Sequence, residues 1–216
     1  MGGPCSSAVA AVLPMIHVGL TGNVAAGKSS VARLFQSWGA TIIDADQLVR
    51  EVQAPGSSVL AEIGHAFGPD ILRPDGALDR AGLRRRIVAD PQARHRLEAI
   101  VHPAVQQRRE RLLEEARRRS DRIVVSDIPL LFEVLDPASF DAVVLVDAPD
   151  EARVARLVRD RGLAEAEARQ LAASQLPSAE KRRWPGRLFI IDNDADLATL
   201  ETRARDVWGR LTSTLD

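Results

Sequence analysis

Short apolar, β-branched runs alternate with stretches of helical period along most of this chain. Ile16–Leu20, Thr41–Ile43, Ile123–Val125, Ala142–Val146 and Leu188–Ile191 read as buried strands. Between the first two, Val31, Leu34, Phe35 and Trp38 form an i, i+3, i+4, i+7 stripe, and Gly39 follows as a helix stop. A second stripe of Leu197, Leu200, Ala204, Val207, Trp208 and Leu211 predicts a last helix. Strands separated by helices imply parallel crossovers, and therefore a doubly wound α/β sheet of five strands between two helical layers.

The interval between the second and third strands, about eighty residues, exceeds what one crossover helix needs. Val59, Leu60, Ile63 and Phe67 share one helix face. Asp79 is placed to cap a helix holding Leu83 and Ile87, and Asp90-Pro91 reads as a cap followed by proline in the first turn. The long helix after it is expected to break at His102-Pro103, because proline cannot donate to the preceding turn. Glu114 with Arg118 and Glu115 with Arg119 mark a solvated face. A second insert, roughly 150–187, is rich in Arg, Ala and Glu. The expected organisation is one domain over 15–216 with helical inserts at about 50–118 and 150–187. Residues 1–14 form a disordered extension without the basic start of a secretory signal.

Composition narrows the function classes. Lys plus Arg is 29 against 30 for Asp plus Glu, a net charge of −1 that argues against a dedicated nucleic-acid binder. No run approaches the roughly 20 apolar residues of a membrane helix. The single cysteine, Cys5, excludes an intramolecular disulfide and a four-cysteine zinc site. A cytoplasmic protein is expected, with neither nucleic acid nor membrane as partner and with no indication of oligomeric state. Only Lys28 and Lys181 are lysine in an arginine-rich chain, which favours a need for a compact ammonium at both.

The strongest chemical signal is Gly22-Asn23-Val24-Ala25-Ala26-Gly27-Lys28-Ser29, which fits G-x-x-x-x-G-K-[S/T] directly between a strand and an amphipathic helix. Such a loop turns successive backbone N–H groups toward phosphate oxygens, and the helix N-terminus adds its positive dipole end. Lys28 is expected to neutralise the β- and γ-phosphates and Ser29 to ligate Mg²⁺; Ser30 completes the cofactor-binding stretch. No Asn-Lys-x-Asp element reads guanine, since Ile191-Asp192-Asn193-Asp194 lacks the lysine.

Asp44-Ala45-Asp46 closes the second strand at the sheet edge where ligands of open α/β folds bind. One carboxylate is suited to accept a proton from an attacking hydroxyl, the other to support it or cap the next helix. Asp127, after the third strand, reads equally well as a Mg²⁺ ligand and as a cap of the turn before Pro129. Glu133 reads as a solvent-facing helix-end acid, and His102 as a packed or hydrogen-bonded residue. Arg84, Arg85 and Arg86 suit either an acceptor phosphate or a solvated turn. From these residues alone, a small-molecule kinase of another type and a nucleotide-sensing protein without turnover stay open.

The ordered set resembles the dephospho-coenzyme A kinase family, a P-loop NTPase-type fold. Its parts are Gly19-Leu20-Thr21-Gly22 before the loop, Ile43-Asp44-Ala45-Asp46 with Arg50, Pro55-Gly56, Asp75-Gly76 with Leu78 and Arg80, and Leu97–Val105. They continue with Pro129-Leu130-Leu131-Phe132-Glu133, Gln175 and Ile191-Asp192-Asn193. The resemblance implies transfer of the ATP γ-phosphoryl group to the ribose 3′-hydroxyl of dephospho-coenzyme A, with ATP, Mg²⁺ and dephospho-coenzyme A as cofactors and partners. It puts the catalytic base on Asp46 and makes the first insert the acceptor-binding region. The second becomes an arginine-rich lid in which Arg156, ahead of Arg153, Arg159 and Arg161, contacts the phosphates. Where the family commonly has glycine, this chain has Asn23 and Ala25. Before its last strand it has Arg183-Trp184-Pro185-Gly186-Arg187 in place of the family's usual Ala-Asp.

Overall fold

Five strands, β1 (Ile16–Thr21), β2 (Thr41–Asp44), β3 (Ile123–Asp127), β4 (Ala142–Asp147) and β5 (Leu188–Asp192), form one sheet in the order β2-β3-β1-β4-β5. Every neighbouring pair is parallel. The computed structural model describes residues 14–213, so all but Pro14 of the expected extension lies outside the described residues. β3 and β4 are buried along their whole length, and their mostly Val, Ile and Leu content suits strands covered on both faces.

Helices α1 (Lys28–Ser37) and α10 (Leu197–Thr212) cover one face through the two predicted stripes, except that Leu197, in the first turn of α10, is 75% exposed and lies outside that core. Phe35, Trp38 and Trp208 meet there, with the Phe35 and Trp208 ring centroids 5.4 Å apart. On the other face, Leu113 and Ala116 pack against Ile43 and Val124.

After β2 the chain builds α2 (Ala45–Val52), α3 (Ser58–Phe67), α4 (Arg80–Ala89) and α5 (Pro91–Arg118). Ser57, Asp79 and Asp90 cap α3, α4 and α5 by accepting from the Leu60, Gly82 and Gln92 amides. These helices share a core of Leu60, Ile63, Ile71, Leu78, Leu83 and Val101 that is separate from the sheet core. One expectation fails: α5 continues unbroken through His102-Pro103. Proline removes one hydrogen bond of the ladder, but Leu97, Ile100, Val101 and Val105 pack into the same core on both sides of it, and that burial outweighs the lost bond.

The second insert contains α7 (Asp150–Arg161), α8 (Glu165–Ala173) and α9 (Ser178–Lys181), preceded after β3 by the single turn α6 (Leu131–Val134). Val154, Leu157, Ala168 and Ala172 form a small core there, and Val24 and Ala25 pack against it. Among the described residues, no helix is long and apolar enough to cross a membrane.

Candidate active site

The loop that follows β1 is shaped by backbone demands that its sequence anticipates. Gly27 caps α1 at φ +100°, and a Cβ there would overlap the Asn193 side-chain amide. Ala25 also takes positive φ, +59°, a conformation that costs an L-residue roughly 1–2 kcal/mol. The surroundings hold it in place. The Ala26 amide donates to the Asn23 carbonyl at 3.0 Å, closing the turn. Arg156 donates to the Ala25 and Ala26 carbonyls at 3.1 and 3.4 Å, and the Asn193 side chain donates to Ala26 at 2.8 Å. Among the described residues, the amides of Ala25, Gly27, Lys28 and Ser29 donate to no protein acceptor, the usual state of a helix start that receives an anion.

Lys28 and Asp127 form an ion pair, both side chains largely buried. Asp127 ends β3 with Leu20 of β1 on one side and Asp44 of β2 on the other. Its carboxyl is pushed above the ordinary aspartate range, first by burial and further by the negative charges of Asp44 and Asp46, while Lys28 opposes the rise. Asp44 caps α2 by accepting from the Gln47 amide at 3.1 Å, whereas Asp46, exposed in the first turn of α2, has no hydrogen-bond or ion-pair partner among the described residues.

Two cavities meet at Asp46. The larger, about 1220 Å³, is lined by residues 22–30, Arg156, Gln175, Asn193 and the start of α10. The smaller, about 300 Å³, has walls of Ile43, Leu48, Val49, Val105, Ile128 and Leu135. Asp46, Pro129 and Leu130 line both. The smaller cavity also contains His102 and Arg109, and the buried Nε of Arg109 has no hydrogen-bond partner among the described residues. Burial lowers the Arg109 pKa from its ordinary value.

The structure therefore gathers Lys28, Ser29, Asp46, Asp127 and Arg156 around the larger cavity and its floor. Of the other arginines of the second insert, Arg159 and Arg161 also line that cavity, whereas Arg153 is buried and pairs with Asp150. Arg84, Arg85 and Arg86 line neither cavity; Arg86 is spent on Asp70 and the Phe67 carbonyl. Glu133 is exposed near the end of α6 as expected, but its carboxylate also has a partner: it accepts from Lys181 Nζ at 2.8 Å and from the Leu176 amide at 3.3 Å. Lys181 is fully buried and needs that anion. Asn193 and Arg109 escape sequence reasoning, since an asparagine after a strand and one arginine among many carry no distinguishing pattern.

No cluster of three or more acidic, His or Cys side chains closes around a metal among the described residues. The donors present are hard oxygens, the exposed Ser29 hydroxyl and the Asp127 carboxylate, with the charges of Asp44 and Asp46 nearby and Lys28 opposing them. That set suits Mg²⁺, which takes one or two protein ligands and completes its shell with water and substrate phosphate.

Comparison with known proteins gives consistent results. The family model for dephospho-CoA kinase (CoaE) matches residues 16–199. A dephospho-CoA kinase of Streptomyces avermitilis is 45% identical over 197 residues, covering 91% of this chain and 94% of the relative. One from Corynebacterium glutamicum is 42% identical over 190 residues, covering 88% of this chain and 94% of the relative. The crystal structure of TT1252 from Thermus thermophilus superposes with a TM-score of 0.77 at 35% identity, covering 92% of this chain and 98% of that one. A dephospho-CoA kinase from Campylobacter jejuni shares the fold, with a TM-score of 0.69 at 21% identity over 92% of this chain and 98% of its own.

Proposed function

The chain belongs to the dephospho-CoA kinase family, and we propose that it carries out that family's reaction where its two cavities meet. The reaction transfers the γ-phosphoryl group of ATP to the ribose 3′-hydroxyl of dephospho-coenzyme A, giving coenzyme A and ADP. One observation carries the placement: Asp46, a carboxylate with no hydrogen-bond or ion-pair partner among the described residues, lines both the phosphate-loop cavity and the apolar cavity.

In this reading the free amides of Ala25, Gly27, Lys28 and Ser29 receive the phosphate oxygens of ATP, with Gly22, Asn23, Val24, Ala26 and Ser30 shaping the loop. Lys28 leaves Asp127 for the β- and γ-phosphates and keeps its charge on the moving group. Ser29 and Asp127 would hold Mg²⁺, which supplies charge neutralisation between the phosphates. Arg156 steadies the loop carbonyls and presents a cation to the same cavity. The acceptor's base enters the apolar cavity, where aliphatic walls cover its faces and the Arg109 side chain adds a cation to the lining. Asp46 then orients the acceptor hydroxyl and takes its proton as the new O–P bond forms and the bond to the ADP oxygen breaks. The second insert acts as a lid that keeps water from competing as acceptor.

The experiment is ADP release from MgATP with and without dephospho-coenzyme A, with the product weighed by mass spectrometry. Acceptor-dependent ADP and a product heavier by one phosphate group support the reading. ADP release that ignores this acceptor but follows another nucleoside or nucleotide sinks it.

A further inference from the structure

Both lysines of this chain touch the phosphate loop, from opposite sides. Lys28 lies inside it, whereas Lys181 ends α9 at the C-terminal root of the second insert, with none of its surface exposed. Its Nζ donates to the Asn23 side-chain carbonyl at 2.7 Å and to Glu133 Oε1 at 2.8 Å. Asn23, 3% exposed, returns its amide group to the Leu176 carbonyl and the Ser178 hydroxyl, each at 3.3 Å. The neighbouring Val24 amide donates to the Gln175 side chain at 2.7 Å. Glu133 also accepts from the Leu176 amide. Residues 175–181, the arm of the loop at 23–24, and the segment after β3 thus meet at one junction, in which the Lys181 ammonium ties Asn23 to Glu133.

The turn beside this junction is strained. Ala25, one residue beyond Val24, sits at positive φ where a glycine would rest without strain, and the Ala26 amide closes the turn on the Asn23 carbonyl. A side chain at position 23 that is fixed on both its oxygen and its nitrogen leaves that carbonyl little freedom. We infer that Lys181 is a positioning residue for nucleotide binding: acting through Asn23, it holds the phosphate loop in its phosphate-receiving shape, a task that backbone freedom cannot perform in a loop lacking glycine at 23 and 25.

The ion type matters to this role. A lysine ammonium offers three donors from one small atom and reaches two acceptors on different segments, whereas a planar guanidinium would need a wider cavity. Glu133 neutralises the charge, so the ammonium stays buried without repelling the cationic groups of the phosphate site.

This inference rests on the nucleotide reading of the loop, and the test separates the two. MgADP binding is measured by calorimetry on the full-length protein as wild type, Lys181→Met, Asn23→Ala and the double variant, with KM for dephospho-coenzyme A measured alongside. Wild type that fails to bind MgADP overturns both readings. The expected result is about tenfold weaker binding in each single variant, the size of one buried hydrogen-bonded link, with acceptor KM within about twofold. The double variant is then expected to bind no more than about twofold weaker than either single one, since both substitutions break one chain of contacts. Variants that melt earlier but bind MgADP like wild type overturn the inference, leaving Lys181 a purely structural ion. Losses that multiply in the double variant overturn it too. Should Lys181→Met fail to fold, Asn23→Ala, which keeps the Lys181–Glu133 pair, decides alone: wild-type affinity overturns the inference and weakened affinity supports it.

Discussion

Lys28 Nζ bonds to the Asp127 carboxylate across the floor of the phosphate loop, joining the start of α1 to the end of β3. The pair keeps a cation preplaced and a carboxylate preoriented, and in the proposed reaction each has a second task once nucleotide arrives. Lys28→Ala is therefore expected to remove nearly all turnover. Asp127→Asn, which keeps the shape and deletes the charge, is expected to lower kcat about 100-fold and to raise the Mg²⁺ concentration giving half-maximal rate. Steady-state rates over a Mg²⁺ titration check both; an unchanged Mg²⁺ dependence in Asp127→Asn would remove Asp127 from the metal site.

Asp46 and Asp44 are two residues apart and chemically alike, yet the fold separates their work. Asp44 satisfies the Gln47 amide at the start of α2. Asp46→Asn should cut kcat by about 10²- to 10⁴-fold, the range for losing a general base, with MgADP affinity within about twofold. Asp44→Ala should instead lower the melting temperature, by the roughly 1 kcal/mol of a lost cap. Turnover near wild type in Asp46→Asn would show that the base lies elsewhere.

Val134, 46% exposed at the end of α6, lines the apolar cavity. An arginine there can extend into solvent without disturbing the core, but it puts a solvated charge beside the aliphatic walls. Val134→Arg is expected to raise the KM for dephospho-coenzyme A about tenfold, a change of about 1.4 kcal/mol, while the KM for ATP stays put. Equal effects on both substrates would refute the assignment of this cavity to the acceptor.

His17 lies in β1, its Nε2 2.9 Å from the Ser126 hydroxyl and its ring centroid 4.7 Å from that of Phe140. Burial, helped by the positive charge of Arg109 and opposed by Asp141, lowers its pKa from 6.5 to about 4. The unfolded chain therefore binds a proton between these values that the native state refuses. Stability contributed by neutral His17 is complete above about pH 6.5 and is lost as pH falls toward 4. The full difference is on the order of 3 kcal/mol, of which about 2 kcal/mol is lost by pH 5. Denaturant unfolding at pH 7 and pH 5 should show this loss in wild type and a smaller one in His17→Gln.

The alternation of apolar runs with helical stripes is enough to place all five strands and the two helices on the α1–α10 face, because both faces of the central strands are covered and each helix shows one apolar stripe to the sheet. The phosphate loop was equally legible, since Gly27, Lys28 and Ser29 are each demanded by local backbone or chemistry. What the sequence hid were long-range pairings. Glu133 looked like an unpaired surface acid because nothing near it in the chain announces Lys181, forty-eight residues on. Asn193 supports Ala26 across 167 residues, a contact that exists only once β5 is laid beside β4. Pro103 misled for the converse reason: a strong local rule was overridden by burial on both sides of it.

The 28-residue span of α5 makes a rod about 42 Å long. Near its middle, Val105 and Arg109 wall the apolar cavity, and toward its end Leu113 and Ala116 are set into the core beneath β2 and β3. The wall is thus mounted on the sheet by an unjointed beam. That wall of the apolar cavity cannot swing away from the sheet without bending the beam or pulling it from the core. Movement around a bound molecule is accordingly expected in the parts hung from the beam and in the arm across the phosphate loop rather than in this wall.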